Sequence, residues 1–124
     1  MRLLLALVST LAISMATAAP RQPYSEETFK AAQAAGKPVL VEIHADWCAE
    51  CKMQDRILGK LSNEGPYDNL TRLRVDYDTQ KDLVRAFGAR RQSTLVLFNH
   101  GAEVGRLVAS TREDDIRKLL EKAR

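Results

Sequence analysis

The sequence predicts an α/β fold in which a mixed four-stranded sheet carries helices on both faces. Periodic segments follow one another in the order helix, strand, helix, strand, helix, strand, strand, helix. The early strand–helix–strand order implies parallel crossover connections, whereas a tight turn joins the last two strands and makes them antiparallel. A chain of 124 residues, 45% hydrophobic and 28% charged, suits one ordinary globular domain.

The first 18 residues have the layout of a secretory signal and are set apart from the fold. Arg2 supplies a positive charge, residues 3–13 form an apolar run, and Ala16 and Ala18 are the small residues that a signal peptidase requires. The run is shorter than the ~20 residues needed to span a bilayer, which makes a retained anchor the weaker alternative. We expect cleavage after Ala18, a domain over residues 19–124, and a periplasmic or secreted location.

The first half of the domain is predicted to contain an extended leader, a helix, a strand and a second helix. Residues 19–24 hold two prolines, and Ser25 can then cap a helix that stops at Gly36. Residues 39–43 form an apolar, β-branched run typical of a buried central strand. A second helix is predicted over residues 48–61. Its apolar stripe consists of Met53, Ile57, Leu58 and Leu61.

The next two elements are a strand and a short helix. Residues 70–76 alternate, which predicts a strand with one buried face and one wetter face that holds Arg72 and Arg74. Residues 80–87 carry apolar positions at helical spacing and are followed by a glycine, so a short helix is predicted there.

The end of the chain is predicted to form a hairpin and a helix. Residues 94–98 are a second dense β run, residues 99–101 form a tight turn, and residues 103–109 return as the partner strand. Ser110, with Glu113 three residues later, matches a capping box at the start of the last helix.

A Cys-x-x-Cys motif between the central strand and the second helix contains both cysteines of the chain, Cys48 and Cys51. Cys48 lies at the predicted helix N-terminus, where free N–H groups and the helix dipole stabilise a thiolate. Cys51 lies one turn later on the same face and is expected to be more buried, so it can resolve a mixed disulfide formed by Cys48. Trp47 would cover the site and offer substrates an apolar surface. The pair therefore predicts a redox-active disulfide.

Metal binding and a purely structural role are the alternatives for the two cysteines. Zinc requires four ligands, but the chain has no second cysteine pair, and His44 and His100 are far apart in sequence. Cu(I) could be bound by the two thiolates with Met53 or His44, which would make the protein a metal carrier or another non-catalytic binding protein. Two idle cysteines at a helix start are the remaining alternative. We expect no metal and no cofactor.

Glu42 is anomalous because it is a carboxylate within the dense central strand. A buried lone carboxylate tends to keep its proton. Six residues before Cys48, it could lie near Cys51 and accept the proton of that thiol. The alternative is an ion pair with a nearby base such as Lys37 or Lys52. Glu42 is therefore a candidate catalytic residue together with the two cysteines.

Residues 41–52, Val-Glu-Ile-His-Ala-Asp-Trp-Cys-Ala-Glu-Cys-Lys, resemble the active-site strand and helix of the thioredoxin superfamily, and residues 87–101 resemble its later strand and hairpin. The resemblance covers nearly all of the chain from the first helix onward. Within the superfamily the chain is similar to the periplasmic C-terminal domain of transmembrane thiol:disulfide interchange proteins. The resemblance implies a thioredoxin-like fold and a protein-disulfide oxidoreductase. It implies Cys48 as nucleophile, Cys51 as resolving cysteine and Glu42 in place of the family's buried carboxylate.

Ser93 departs from the family, which has a cis-proline facing the cysteines at this position. The bond between Gln92 and Ser93 should be trans, because a cis bond before a non-proline residue costs about 2.5–4 kcal/mol. Serine also brings an N–H that proline lacks and a hydroxyl that could hydrogen-bond a thiolate at Cys48. Trp47, Gln92, Ser93 and Thr94 are the candidate substrate-binding residues.

Glu50, between the two cysteines, suggests the direction of electron flow. A carboxylate beside the site should destabilise a thiolate and favour the disulfide, which makes the dithiol the better reductant. The expected partners are oxidised secreted proteins as substrates and a membrane-embedded thiol reductase as electron donor. The net charge of +3 comes from scattered residues, so nucleic acid is not an expected partner, and we expect a monomer.

Overall fold

The structure is a computed structural model that describes residues 20–124 and the single residue 12. Residue 12 aside, the expected signal segment and its cleavage position lie outside the described residues. No helix in this described part of the chain is long and apolar enough to cross a membrane. In chain order the elements are β1 (Gln22–Pro23), α1 (Glu26–Ala34), β2 (Val39–His44), α2 (Ala49–Leu61), a 3₁₀ turn (Gly65–Tyr67), β3 (Thr71–Asp76), α3 (Lys81–Ala86), β4 (Thr94–Asn99), β5 (Ala102–Val108) and α4 (Glu113–Glu121).

The strands form one mixed sheet in the order β1-β3-β2-β4-β5. β1, β3 and β2 are parallel, and β4 is antiparallel to both β2 and β5. All six residues of β2 are buried, as expected for the central strand. The α/β fold with a mixed sheet is therefore confirmed, but the sheet has five strands instead of the four predicted.

The additional strand is β1, which the sequence suggested to be part of an extended leader. It pairs with the outer side of β3, with Gln22 opposite Leu73 and Pro23 opposite Arg74. A proline is tolerated there because an edge strand need not donate every N–H to the ladder. Two residues are too few to show a period, so the sequence pattern could not distinguish this strand from a leader.

Two apolar clusters fill the space between the sheet and its helices. Side chains of α2 and α4 pack on the face of the sheet that carries Leu40, Leu95 and Leu97. Side chains of α1 and α3 pack on the opposite face, which carries Val41 and Val96. The sheet is thus covered on both faces, and four residues, 45–48, connect the end of the central strand to the start of α2.

The buried face of α2 matches the predicted stripe at Leu58 and Leu61, with Ile57 partly buried beside them, but not at Met53. Met53 is 40% exposed, whereas Cys51, Gln54, Leu58 and Leu61 are buried. The spacing of three and four residues from Cys51 sets the helix face that meets the sheet. Met53 lies outside this face, and a polar residue, Gln54, takes the core position.

The strand β3 has no wet face at Arg72, which is only 4% exposed. Arg72 pairs in register with Leu40 of β2, and its side chain therefore lies on the side of the sheet covered by α2. There its charge is matched by the carboxylates of Glu42 and Asp55. Arginine is seldom buried unless it is paired with an opposite charge. The alternation of apolar and basic residues along this strand therefore predicted that Arg72 would face water.

The predicted capping box at Ser110 and Glu113 is wrong. Helix α4 begins at Glu113 itself, with Arg112 as an N-cap that makes no side-chain capping bond. The Ser110 hydroxyl instead donates a hydrogen bond to Oδ2 of Asp115, 2.6 Å away. The Glu113 carboxylate accepts a hydrogen bond from Lys60 of α2 at 3.0 Å, which ties the two helices together.

Candidate active site

Cys48 and Cys51 lie together at the N-terminus of α2. Cys48 is the N-cap, and its Sγ accepts a hydrogen bond from the Cys51 N–H at 3.1 Å. The two sulfurs lie at disulfide distance. A sulfur that caps a helix meets free N–H groups and the positive end of the dipole, both of which favour the thiolate form.

The expected difference in burial between the cysteines is wrong, because both are 4% exposed. They differ instead in what they face. Cys48 lines an open groove on the surface, and Cys51 is not among the residues that line it. Of the two cysteines, Cys48 is therefore the one that a molecule in the groove would meet. The groove is lined by Trp47, Cys48, Ala49, Glu50, Arg91 and Gln92.

The candidate substrate-binding residues divide into two groups. Trp47 is 61% exposed and is fixed beside the groove by a hydrogen bond from its Nε1 to Oδ2 of Asp78, 2.8 Å away. Gln92 also lines the groove. Ser93 and Thr94 are buried behind it, with 0% and 1% of their surface exposed. The structure thus brings two of the four residues to the groove and leaves two beneath it.

The Ser93 hydroxyl lies within hydrogen-bond distance of both sulfurs. Its Oγ is 3.2 Å from Sγ of Cys48 and 3.1 Å from Sγ of Cys51. The bond between Gln92 and Ser93 is trans, as predicted, since residues 20–124 contain no cis peptide bond. The expected proximity of the hydroxyl to Cys48 is confirmed, and the contact with Cys51 was not foreseen.

The Ser93 backbone has a left-handed conformation, with φ of 60°, and is fixed by internal hydrogen bonds. Its N–H donates to the carbonyl of Ile43 at 2.8 Å, and its carbonyl accepts from the N–H of Ala109 at 2.9 Å. The N–H gained by replacing proline is therefore used within the fold. These contacts help hold the left-handed conformation, which is uncommon for a residue other than glycine.

Gln54 supports Ser93 and was missed in the sequence. It is 2% exposed, and its Nε2 donates to the carbonyls of Ser93 and Ser110 at 3.2 and 3.0 Å. A polar residue on an amphipathic helix normally faces water. The only available signal was its position three residues after Cys51, on the same helix face.

Glu42 is buried, as predicted, but it is not a lone carboxylate. Its two oxygens accept hydrogen bonds from Nε and a terminal nitrogen of Arg72 at 2.8 and 2.9 Å. Arg72 also donates to Asp55 at 2.7 Å. Burial acts to lower the pKa of Arg72, but the two carboxylates outweigh it and raise that pKa. Within the described chain, the hydrogen bonds of Glu42 go to Arg72 and not to Cys51, so the proposed proton transfer remains a prediction.

Glu50 is also paired. Its Oε2 lies 2.6 Å from a terminal nitrogen of Arg91, and both side chains are about half exposed, at 45% and 43%. The negative charge that Glu50 places beside Cys48 is therefore matched by the positive charge of Arg91. Sequence alone could not place Arg91 here, because it is 41 residues away along the chain.

The ligands suggested for Cu(I) are engaged or exposed. Nε2 of His44 lies 3.3 Å from Asp46 and its Nδ1 lies 3.4 Å from Arg21, while Met53 is 40% exposed. Burial and the Arg21 charge lower the pKa of His44. In the residues that the structure describes, no group of three or more His, Cys, Asp or Glu side chains is placed to hold a metal ion.

A mixed sheet whose central strand leads into a Cys-x-x-Cys helix N-terminus defines a thiol–disulfide exchange protein. The family model described as Thioredoxin matches residues 21–122, and the chain belongs to the thioredoxin family. It is a protein-disulfide oxidoreductase whose redox-active pair is Cys48 and Cys51.

Individual relatives agree with this family assignment. The chain is 38% identical over 101 residues to the thioredoxin of Chlamydia muridarum, which covers 82% of this chain and 96% of that protein. The crystal structure of Trxlp from Edwardsiella tarda has a TM-score of 0.77 at 40% identity, covering 81% of this chain and 97% of that one. The thioredoxin of Malassezia sympodialis has a TM-score of 0.70 at 25% identity, covering 85% and 94%.

Proposed function

We propose that this thioredoxin-family protein works as a disulfide reductase. The observation that carries the proposal is the balanced charge beside Cys48, where Glu50 and Arg91 form an ion pair. Strongly oxidising pairs stabilise their thiolate with uncompensated positive charge in or beside the motif. Here the guanidinium of Arg91 near the groove is matched by the carboxylate of Glu50. This balance supports a Cys48–Cys51 dithiol that is a good reductant.

In the proposed reaction, the Cys48 thiolate attacks one sulfur of a substrate disulfide. A mixed disulfide forms, and the other substrate sulfur leaves as a thiolate. Cys51 then attacks the Cys48 sulfur, the bond to the substrate breaks, and the Cys48–Cys51 disulfide forms. Two electrons have passed to the substrate. The two released sulfurs take up protons, one supplied by Cys51 through water and the other by the solvent.

The proposed substrates are oxidised secreted proteins, which would lie in the groove beside Trp47 and Gln92. The exposed indole supports this, since an amphipathic aromatic ring is a common anchor for protein partners. In a periplasmic or secreted location, electrons must arrive from across the membrane. A membrane-embedded thiol reductase is therefore the proposed donor. Nucleic acid is not a proposed partner, and the protein is proposed to act as a monomer.

Turnover with a model disulfide protein tests the reductase proposal. Reduction should be measured with a dithiol as electron source, and oxidative refolding of a reduced protein should be measured in parallel. We expect the wild type to accelerate reduction more than oxidation. Cys48→Ala should be inactive, and Cys51→Ala should accumulate mixed disulfides because no sulfur remains to resolve them. Faster oxidation than reduction would overturn the direction.

Selective alkylation tests the roles of the two sulfurs. With the reduced protein at neutral pH, label should appear on Cys48 well before Cys51, because Cys48 lines the groove and caps the helix. Preferential labelling of Cys51 would reverse the assignment.

The proposed location is tested separately by mass spectrometry of protein from a periplasmic fraction. Cleavage after Ala18 leaves Ala19 as the first residue, and an intact Met1 would contradict cleavage.

A further inference from the structure

We propose that the Ser93 hydroxyl is a shared hydrogen-bond partner of the two redox sulfurs, serving the Cys48 thiolate before substrate attack and the Cys51 thiolate during resolution. The proposal rests on the proposed dithiol reaction and adds a group that acts on both of its steps. Ser93 makes this contact with the reacting atoms themselves, at 3.2 Å from Cys48 and 3.1 Å from Cys51.

The surroundings of the hydroxyl limit what it can bind. Ser93 has 0% of its surface exposed, so bulk water does not compete for the group. Among residues 20–124, the hydrogen bonds of its Oγ are the two to Cys48 and Cys51. A buried hydroxyl needs a partner, and here the sulfurs are that partner.

One hydroxyl can serve both sulfurs because it has one donor hydrogen and two acceptor lone pairs. In the dithiol form it donates to the Cys48 thiolate and accepts from the Cys51 thiol. A hydrogen bond from a buried donor to a charged acceptor is stronger than a neutral one. The Cys48 thiolate therefore receives two donors, this hydroxyl and the N–H of Cys51 at 3.1 Å.

The hydroxyl changes partner as the reaction proceeds. After Cys48 has attacked a substrate disulfide, its sulfur is neutral and no longer the stronger acceptor. The Ser93 hydrogen can then turn to Cys51, which loses its proton to water and attacks the Cys48 sulfur. The Cys48–Cys51 bond forms, the bond to the substrate sulfur breaks, and that sulfur leaves with the electron pair and takes a proton from water.

The backbone of Ser93 can be separated from its hydroxyl in a test. The hydrogen bond from the Ser93 N–H to the Ile43 carbonyl and the one from the Ala109 N–H to the Ser93 carbonyl involve main-chain atoms only. Both hydrogen bonds should therefore survive truncation of the Ser93 side chain. Ser93→Ala removes the hydroxyl alone. Ser93→Gly removes it and also relieves the left-handed φ of 60°, so this second variant should fold even if alanine does not.

The experiment is the pH profile of Cys48 alkylation in the reduced protein, with each labelled cysteine resolved by mass spectrometry. A matched control is Ser62→Ala, which removes a buried hydroxyl that bonds the carbonyl of Gly59 at 3.2 Å. In Ser93→Ala and Ser93→Gly, the apparent pKa of Cys48 should rise by about one to two units, the worth of a hydrogen bond to a charged group. Ser62→Ala should leave it unchanged.

A second readout is the redox equilibrium of the same variants with glutathione. Loss of the donor destabilises the dithiol form, and a tenfold change toward the disulfide lowers the potential by about 30 mV. An unchanged Cys48 pKa in both Ser93 variants would overturn the proposal. The pKa is measured without substrate, so this outcome stays separate from a failure of the reductase assignment, which appears only in turnover.

Discussion

Replacement of Glu42 by glutamine should destabilise the fold, contrary to what a lone buried carboxylate would predict. The Arg72 side chain is 4% exposed, and two of its hydrogen bonds go to Glu42. Removing one partner of a buried ion pair costs about 3–5 kcal/mol, since the other charge stays buried. Asp55 still accepts from Arg72 at 2.7 Å, and the loss should lie toward the lower end of that range.

Equilibrium unfolding in urea measures this loss. With a slope of about 1–3 kcal/mol per molar for a small protein, the midpoint of Glu42→Gln should fall by roughly 1 M or more. The matched control is Glu26→Gln, the same change in an exposed pair with Lys30, which should have no measurable effect. A double variant that replaces Glu42 and Arg72 by apolar residues should recover much of the stability, because no charge is then left buried.

The catalytic hypothesis for Glu42 requires a separate measurement on the folded variant. If the carboxylate also accepts the proton of Cys51, resolution of the mixed disulfide should slow on the order of tenfold or more in Glu42→Gln. A variant as stable as the wild type would refute the ion-pair reasoning. Whatever the stability of Glu42→Gln, an unchanged rate of mixed-disulfide resolution across neutral pH would refute the proton-acceptor role.

Three further predictions follow from the contacts around the site. Ser93→Pro should lower the free energy of unfolding in urea by about 1–3 kcal/mol. Proline cannot adopt the positive φ of Ser93, and it has no N–H to donate to the buried carbonyl of Ile43. A variant as stable as the wild type would refute this. Arg91→Ala should raise the pKa of Cys48, and Glu50→Gln should lower it. Each change should be a fraction of a pKa unit and should become smaller as salt is added. Changes of the same sign in both variants would refute the idea that the two charges balance each other at Cys48. Burial lowers the pKa of His44 in the folded state, so its contribution to stability is present above the unfolded value near 6.5 and is lost as the pH falls below it. His44→Gln should flatten that acid-side slope, and a slope unchanged in this variant would contradict the prediction.

The elements that carry a period could be predicted from the sequence. The central strand, the helix that follows Cys48 and the last hairpin all have dense or periodic apolar runs with turn residues at their ends. The strand β1 has two residues and no period, so only its pairing with β3 reveals it. The capping box failed because Ser110 lies two residues before the N-cap and bonds another side chain.

The site could be predicted only as far as its local spacing reaches. Cys48, Cys51 and the anomalous Glu42 are visible because the motif and the central strand are adjacent in the chain. The two arginines that pair with the carboxylates of the site come from 30 and 41 residues further along the chain. Arg72 of β3 pairs with Glu42, and Arg91, in the bend before β4, pairs with Glu50. Side-chain pairing over such separations depends on register, which composition and periodicity do not specify.

The redox equilibrium of the protein with glutathione tests the central claim most directly. The fraction of the Cys48–Cys51 disulfide should be followed by mass spectrometry over a range of thiol and disulfide ratios. We predict a single two-electron transition with a potential nearer to about −270 mV, typical of reducing family members, than to about −120 mV, typical of strong oxidants. A potential near the oxidising value, or a pair that does not exchange with glutathione, would contradict the assignment of this protein as a disulfide reductase.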